Sequence, residues 1–246
     1  MVTVSTMARS SSSRDISFDT DFGVARIRWD GPRATLFLGE VESSAVDTSD
    51  PTYLEFEYMQ HMDAVVSSLW GPQDRFRALH VGGAACALAC AWSSSHSQSR
   101  HVAVEVDREG SFDVIVRDAF ASGVTPDHLR TVECADRARR ALTASGVYLV
   151  NCAHGGPANA RQDVAAVQEV FPFVASIQDP KVGRGGRRGN VVALASATNV
   201  VNVDEIDRAL RMLALPARIT RPADLARWVA GTPALTDSQV GYPQAD

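Results

Sequence analysis

Two adjacent glycines and two acidic residues lie where consecutive predicted strands end. Gly82 and Gly83 close the apolar run ALHVGG, and Glu105 and Asp107 close the next run, HVAVEVD. Glycines between a strand and a helix let the backbone approach a ligand and direct the helix N-terminus towards it. A carboxylate at the next strand's end can accept two hydrogen bonds from a ribose diol. The pattern favours a nucleoside-like ligand over a dinucleotide because a complete G-x-G-x-x-G is absent, although close helix–strand packing also explains the glycines.

The elements that would position these residues alternate between strands and helices. Continuous apolar strands alternating with helices predict an α/β fold with a parallel sheet that is covered on both faces. Asp50 and Pro51 are predicted to begin a preceding helix, which Gly71 and Pro72 end. The predicted strands are residues 78–83, 101–107, 112–120, 146–151, 173–179 and 190–196, and the predicted helices between them include 84–92, 126–142 and 158–170.

Composition divides the chain into four segments. Residues 1–15 are rich in serine and lack an apolar stretch, which predicts a disordered tail and no secretory signal. Residues 16–49 contain short extended runs around a turn at Asp30, which predicts a small N-terminal β-hairpin region. Residues 50–234 are predicted to form the nucleoside-binding domain, and residues 235–246 are predicted to be a second tail.

Length and composition are those of an ordinary globular protein. The 246 residues are 45% hydrophobic and 22% charged, and the net charge of −5 argues against nucleic acid as the main partner. No apolar run approaches the roughly 20 residues of a membrane span, so no membrane partner is predicted. The four cysteines form no C-x-x-C pair, which predicts reduced thiols in a cytoplasmic protein. Cys86 and Cys90 lie four residues apart, and packing in the core is favoured over a metal site for them.

Eight segments carry a resemblance to a known family. They are LEFEYMQHM, LHVGGAACALA, HVAVEVD, DVIVRDAF, TPDHLRTVE, GVYLVN, VFPFVASIQDP and GRRGNVVALAS, and they follow one another in the family's order. With them the chain resembles the spermidine synthase, or polyamine aminopropyltransferase, family, and especially its actinobacterial spermidine-synthase-like branch. The resemblance implies the class I S-adenosylmethionine-dependent transferase fold, which is Rossmann-like, and a homodimer.

The resemblance also implies a reaction in polyamine biosynthesis. Decarboxylated S-adenosylmethionine would be a co-substrate rather than a tightly bound cofactor, and an amine such as putrescine would receive its aminopropyl group. The amine must first lose a proton, since a free alkylammonium has a pKa near ~10. Asp118 matches the family's catalytic aspartate, which would accept that proton. Glu105 matches the ribose-binding acid, Gly82 and Gly83 match the glycine loop, and Tyr58 matches the tyrosine that orients the amine.

Several of these polar residues also have a purely structural interpretation. Asp118 could cap the turn after its strand, and core packing alone could explain Tyr58, which lies on an apolar helical face. His61 has no partner at ligand spacing and is predicted to be a surface or capping residue. A basic loop before the last strand is predicted to be a solvated hairpin loop, with an anion site as the less favoured alternative. Its residues are Lys181, Arg184, Arg187 and Arg188.

Three departures from the family pattern bear on the site. Ala84 and Cys86 stand where glycines are usual, and Ala121 stands where a second, amine-binding aspartate is common. Between Asp107 and Phe112 the chain has only REGS, where the family has a helix, a third strand and another helix. We interpret this as an internal deletion after Asp107 that shortens the sheet by one strand and its helices.

The short REGS segment leaves two arrangements open. A parallel crossover needs about a dozen or more residues, so HVAVEVD and FDVIVRD either pair as an antiparallel hairpin or one of them leaves its family position. In a hairpin, Glu105 and Asp118 would lie at opposite ends of the sheet and no active site would form. Three functions therefore stay open: an aminopropyltransferase, a catalytically silent relative that acts as a binding or oligomerisation module, and an S-adenosylmethionine-dependent methyltransferase.

Overall fold

The chain forms two β-sheets, a five-stranded sheet near the N-terminus and a seven-stranded sheet after it. The computed structural model describes residues 5–6, 13–20, 23–83, 85–103, 112–120, 124–182, 187–198 and 201–241. Glu105, Asp107, Ala84, Ala121 and Arg184 lie outside these residues, together with the REGS segment.

The N-terminal sheet is antiparallel throughout, and its strands lie side by side in chain order. The strands are β1 Ser5–Thr6, β2 Ser13–Thr20, β3 Gly23–Asp30, β4 Arg33–Leu38 and β5 Val41–Asp47. Arg26 and Arg28 of β3 both lie over the ring of Phe37 in β4, at 4.8 and 4.9 Å, which stabilises this pairing across the strands. The region is thus larger than the predicted hairpin, and β1 and β2 include residues of the predicted disordered tail.

The larger sheet has the strand order β12-β10-β11-β9-β8-β6-β7. Its strands are β6 Arg77–Gly82, β7 Arg100–Val102, β8 Phe112–Asp118, β9 Leu142–His154, β10 Phe173–Gln178, β11 Gly189–Ser196 and β12 Arg218–Thr220. β6 to β9 are parallel, whereas β11 lies antiparallel between β9 and β10, and β12 is antiparallel to β10. Five of these seven strands therefore run in one direction. β10 and β11 form an antiparallel hairpin, as predicted for the strands on either side of the basic loop.

Helices cover both faces of this sheet because alternate residues of its central strands are apolar on both sides. Val114 and Val116 of β8 face one core, and Ile115 between them faces the other. The helices are α1 Glu57–Leu69, α2 Ala87–Ser95, α3 Val132–Ala141, α4 Ala160–Val170, α5 Val203–Arg211, α6 Pro222–Val229 and α7 Asp237–Val240. α1, α2 and α5 contribute to the first core, and α3, α4 and α6 to the second.

Of the two arrangements that the REGS segment leaves open, the antiparallel hairpin between HVAVEVD and FDVIVRD is not the one that forms. β7 and β8 do not pair with each other but flank β6, and both run parallel to it. β7 ends at Val102 rather than at Asp107, which leaves residues 103–111 to join the two strands. The carboxyl ends of β6, β7 and β8 therefore share one edge of the sheet, which is the edge that the candidate site requires.

Two helix boundaries and one terminus differ from the sequence expectation. α1 begins at Glu57 and not at Pro51, because the Asp50 carboxylate accepts hydrogen bonds from the backbone and hydroxyl of Thr52 and forms a local turn. α3 begins at Val132, after a short 3-10 turn at Asp127–Leu129, and Thr131 caps it. The predicted C-terminal tail contains α7, which docks through the hydrogen bond from the Thr131 hydroxyl to buried Asp237 at 2.6 Å.

Candidate active site

Asp118, the last residue of β8, lies in a buried hydrogen-bond network at the carboxyl edge of the sheet. The residue is only 8% exposed. The Tyr58 hydroxyl donates to one carboxylate oxygen at 2.9 Å, and the Asn151 side-chain amide donates to the other, also at 2.9 Å. Tyr58 comes from α1 and Asn151 from β9, so three elements fix the orientation of this carboxylate. These bonds go to other elements and do not cap the turn that follows β8.

The environment of Asp118 changes its acidity and that of its partner in the same direction. Burial raises the pKa of Asp118, and the hydrogen bonds from Asn151 and Tyr58 and the charge of Arg117 oppose this rise. Burial and the adjacent carboxylate also raise the pKa of Tyr58 far above its usual value. Tyr58 therefore remains protonated and donates to Asp118, which is the stronger acid of the pair. The result is a carboxylate whose pKa lies above that of an ordinary aspartate, as expected for a group that accepts a proton.

Arg117, the neighbour of Asp118 in the chain, anchors this end of β8 in the opposite core. Its side chain is 1% exposed and forms an ion pair with Asp163 of α4 at 2.8 Å. It also donates to the backbone oxygen of Asn151 at 2.6 Å. The same guanidinium thus holds the backbone of the residue whose amide bonds to Asp118. Because a buried guanidinium needs partners, the ion pair with Asp163 joins β8 to α4, and the bond to the Asn151 backbone oxygen joins β8 to β9 beside the site.

Gly82, at the end of β6, touches the backbone of Asp118. It lies opposite Asp118 in the parallel ladder, and a Cβ on it would lie 2.4 Å from the Asp118 carbonyl oxygen. Its φ of +86° also favours glycine. Gly83 has a φ of +106° and donates its backbone N–H to the same carbonyl oxygen at 3.1 Å, but among the described residues beyond its chain neighbours no atom lies within 4 Å of the place of its Cβ. Close contact with the Asp118 backbone therefore requires glycine at position 82. At position 83 no described residue makes such a contact.

A small cavity lies between these glycines and Asp118. Its volume is about 10 Å³, which is room for about one water molecule. Cys86 lines it as the residue before α2 and adopts φ +57°, the left-handed conformation that glycine favours. This conformation gives a physical reason for the glycines that the resemblance leads one to expect at this position. α2 starts directly at the cavity, and no side chain caps its N-terminus.

The predicted ribose-binding acids cannot be located, because Glu105 and Asp107 lie outside the described residues. The strand that leads to them is described as far as Val102, which pairs with Leu79 of β6 in parallel. β6 and β7 thus point towards the same edge as Asp118. The functions of Glu105 and Asp107 stay predictions.

A larger cleft opens on the other side of Tyr58. Its volume is about 310 Å³, within the range of small-molecule sites. The cleft is lined by Glu55, Phe56, Glu57, Tyr58, His61, Asp179, Val182, Arg187, Arg188, Gly189 and Asn190. Tyr58 thus faces this cleft while its hydroxyl bonds to Asp118, which lines the small cavity. The Tyr58–Asp118 pair therefore lies between the glycine-lined cavity and a polar cleft.

Comparison with solved structures identifies the architecture. The crystal structure of a probable spermidine synthase from Corynebacterium glutamicum ATCC 13032 is 26% identical, with 94% of this chain and 97% of that chain covered and a TM-score of 0.80. The chain has the class I S-adenosylmethionine-dependent transferase fold. Looser likenesses are to spermidine synthase from Thermotoga maritima (15% identity, 97% and 87% covered, TM-score 0.45) and to a spermidine synthase in complex with the transition state analogue AdoDATO (14%, 97% and 88%, 0.46). No protein-family model matches the sequence, and no curated protein matches it.

Three residues lie at the candidate site although the sequence did not predict them there. Asn151 ends the predicted strand GVYLVN, and a polar residue closing an apolar strand is the signal that could have identified it. His61 was predicted to be a surface or capping residue, but it is buried, at 3% exposed, within α1 and lines the cleft. Arg188 belongs to the predicted solvated loop but lines the cleft as well. No local sequence pattern could place His61 and Arg188 at the cleft, because chain segments far apart in sequence form it.

The described part of the chain contains neither a metal-binding cluster nor a membrane-spanning helix. No three His, Cys, Asp or Glu side chains converge there in a way that could hold a metal ion. None of the helices found there is both long and apolar enough to cross a membrane. Among the cysteines, which all lie in the described part of the chain, Cys152 is buried, and Cys86, Cys90 and Cys134 are partly exposed.

Proposed function

We propose that the protein transfers an aminopropyl group from decarboxylated S-adenosylmethionine to an amine. The observation that carries the proposal is the Asp118 carboxylate, held by Tyr58 and Asn151 between the glycine-lined cavity and the polar cleft. Likeness to a probable spermidine synthase over nearly the whole chain supports it. In this proposal the nucleoside lies on the side of Gly82 and Gly83, with Glu105 and Asp107 at its ribose, and the acceptor amine enters through the cleft.

The chemistry needs one proton acceptor and one aligned nucleophile. The acceptor reaches the site as an ammonium ion and gives a proton to Asp118. Its nitrogen lone pair then attacks the propyl carbon next to the sulfonium, a C–N bond forms, and the C–S bond breaks. The electrons of that bond return to sulfur, which leaves as neutral methylthioadenosine, and the proton on Asp118 passes to water. A carboxylate with a raised pKa suits the first step, because its affinity for a proton is nearer to that of the amine.

Tyr58 and Asn151 act through Asp118 in this proposal. Their hydrogen bonds fix both carboxylate oxygens, so the lone pair that accepts the proton has a defined direction. The ring of Tyr58 also forms part of the core and of the cleft wall. The alternatives of core packing and substrate contact for Tyr58 therefore do not exclude each other.

Other parts of the proposal rest on the family resemblance alone. These are the actinobacterial branch, the deletion after Asp107, polyamine biosynthesis, a cytoplasmic location and a homodimer. Among the described residues, no strand pairs with the free edge of β7.

Binding of methylthioadenosine is the first test. At a hundredfold excess over its dissociation constant, a ligand of the folded state adds about 2.7 kcal/mol to the free energy of unfolding. We expect such an increase, measured as a rise in melting temperature with methylthioadenosine but not with adenine alone. Absence of any rise at millimolar ligand would refute both transferase functions and favour the silent relative. Release of methylthioadenosine from decarboxylated S-adenosylmethionine in the presence of an amine then separates aminopropyl transfer from methyl transfer.

Removing the Tyr58 hydroxyl tests the Asp118 assignment through pH dependence. The hydrogen bond from Tyr58 lowers the pKa of Asp118, so Tyr58→Phe should raise that pKa and move the acid limb of kcat/KM to higher pH. A hydrogen bond to a charged group is worth about 1.5–3 kcal/mol, which corresponds to a shift of about one pH unit or more. Both proteins are assayed with the same amine, so its own ionisation cancels in the comparison.

The exposed tyrosine Tyr53 provides the matched control for this experiment. It lies under the Arg33 guanidinium, away from Asp118, and Tyr53→Phe should leave the pH profile unchanged. If the acid limb of Tyr58→Phe coincides with that of the unsubstituted protein, Asp118 is not the group whose ionisation limits the reaction.

A further inference from the structure

The polar cleft beside Tyr58 carries charges of both signs. Its charged lining residues are Glu55, Glu57, Asp179, Arg187 and Arg188. Two of them are already paired, Glu55 with Arg33 at 3.2 Å and Asp179 with Arg187 at 3.5 Å. Glu57 and Arg188 form no ion pair with any residue that the structure describes. The cleft therefore offers one carboxylate and one guanidinium that no described residue pairs with, and a ligand with a positive and a negative group would complement both.

The turn at Gly156, which follows β9, leaves room for the Arg188 guanidinium. A Cβ on Gly156 would lie 2.7 Å from Nε and 2.9 Å from Nη2 of Arg188. Gly156 has a φ of +63°, which disfavours a side chain there. The exposed guanidinium of Arg188 thus rests on bare backbone, and its planar donors can bind a carboxylate.

A buried histidine lies at the wall of the cleft. His61 is 3% exposed, lines the cleft, and its Nδ1 atom has no hydrogen-bond partner in the part of the chain that is described. Burial lowers the pKa of His61 to about 4, although the Asp179 charge opposes this, so the ring is neutral at pH 7. A neutral imidazole at the wall of the cleft can form a hydrogen bond with a ligand there.

We propose that the acceptor is a zwitterion, an amine that also carries a carboxylate, which Arg188 binds while the ammonium groups face Glu57, His61 and Tyr58. This inference rests on the proposed function and specifies its acceptor. A plain diamine would satisfy Glu57 and His61 but would place no anionic group against Arg188. The cleft of about 310 Å³ accommodates a molecule of this size.

The decisive comparison uses two acceptors that differ only in the carboxylate. Ornithine is putrescine with a carboxylate on one terminal carbon, and lysine is related to cadaverine in the same way. Release of methylthioadenosine from decarboxylated S-adenosylmethionine is measured with each of the four. We expect KM for ornithine or lysine to be lower than for the matching diamine by roughly tenfold or more, the equivalent of one charge-assisted hydrogen bond.

Arg188→Gln tests the residue that the inference names. This change should raise KM for the preferred amino acid roughly tenfold and leave KM for its diamine unchanged, because only the carboxylate contacts Arg188. Lys181→Gln is the matched control, since it removes a positive charge from the same loop outside the cleft lining. It should leave the values for all four acceptors unchanged.

The outcomes separate this inference from the proposed function. If diamines have the lower KM, or if the preference for an amino acid survives Arg188→Gln, the inference is overturned and the transferase function stands. If no acceptor releases methylthioadenosine, the transferase function fails and direct binding decides. A rise in melting temperature with ornithine or lysine that Arg188→Gln abolishes then supports the zwitterion site, and equal behaviour of the amino acids and the diamines overturns it.

Discussion

Asp118→Asn is expected to lower turnover by about 10²–10⁴-fold, the contribution of a positioned general base. The amide keeps the size of the side chain but has little affinity for a proton. Its oxygen can still accept the bond from Asn151, and the Tyr58 hydroxyl can rotate to accept from the new amide nitrogen. Methylthioadenosine release with a saturating amine measures the effect directly.

The fold should tolerate this substitution. Because burial raises the pKa of Asp118 above its unfolded value, its contribution to stability is complete below the unfolded pKa and is lost as the pH rises through the folded pKa. An amide at position 118 does not ionise and removes that loss. At pH 7 the variant should therefore unfold at the same melting temperature as the unsubstituted protein or at a higher one, and its response to methylthioadenosine should be retained.

Asp113→Asn is the matched control on the same strand. Asp113 lies at the other end of β8, where it accepts bonds from the Arg77 backbone and the Thr143 hydroxyl at 2.9 and 3.0 Å. Its conversion to an amide changes the same chemical group far from the cleft and should leave turnover unchanged. Unchanged turnover in Asp118→Asn, or an equal loss in both variants, would contradict a catalytic function of Asp118.

Strand positions and the residues at their ends could be predicted because the information is local. An apolar run such as FDVIVRD shows by itself that it is buried on both faces, and Asp118 follows from where that run stops. Gly82 and Asp118 pair in the parallel ladder, so the ends of these two strands lie side by side. The predicted start of α1 was wrong because the Asp50 side chain bonds to the backbone of Thr52, and this local turn competes with the helix. Helix propensity and capping patterns do not include such competition.

Strand direction and the cleft could not be predicted from local pattern. The hairpin expectation assumed that HVAVEVD is extended throughout, but β7 ends at Val102. Whether β8 then pairs with β7 or crosses to the far side of β6 depends on sheet contacts that the segment itself does not encode. The same holds for His61 and Arg188, which lie 127 positions apart and meet only because α1 and the β10–β11 hairpin form opposite walls of one cleft. A charged loop and a charged cleft wall have the same sequence pattern.

Gly82→Ala is expected to cause the largest loss of stability at the site, and Gly83→Ala separates its causes. Both glycines have positive φ, so each alanine brings a backbone cost of about 1–3 kcal/mol. Only at Gly82 does the new methyl group also overlap the Asp118 carbonyl oxygen, at 2.4 Å, and that oxygen belongs to backbone in a paired strand that cannot rotate away.

This overlap should add roughly 1–3 kcal/mol to the loss in Gly82→Ala, so its urea midpoint should fall well below that of Gly83→Ala. Because β6 and β8 must separate to admit the methyl group, Gly82→Ala should also displace Asp118 from Tyr58 and reduce turnover. Gly83→Ala faces open space, so any effect on turnover there would come from contact with the nucleoside and should appear in binding of methylthioadenosine. Equal midpoints for the two variants would show that β6 does not approach Asp118 as closely as the ladder indicates.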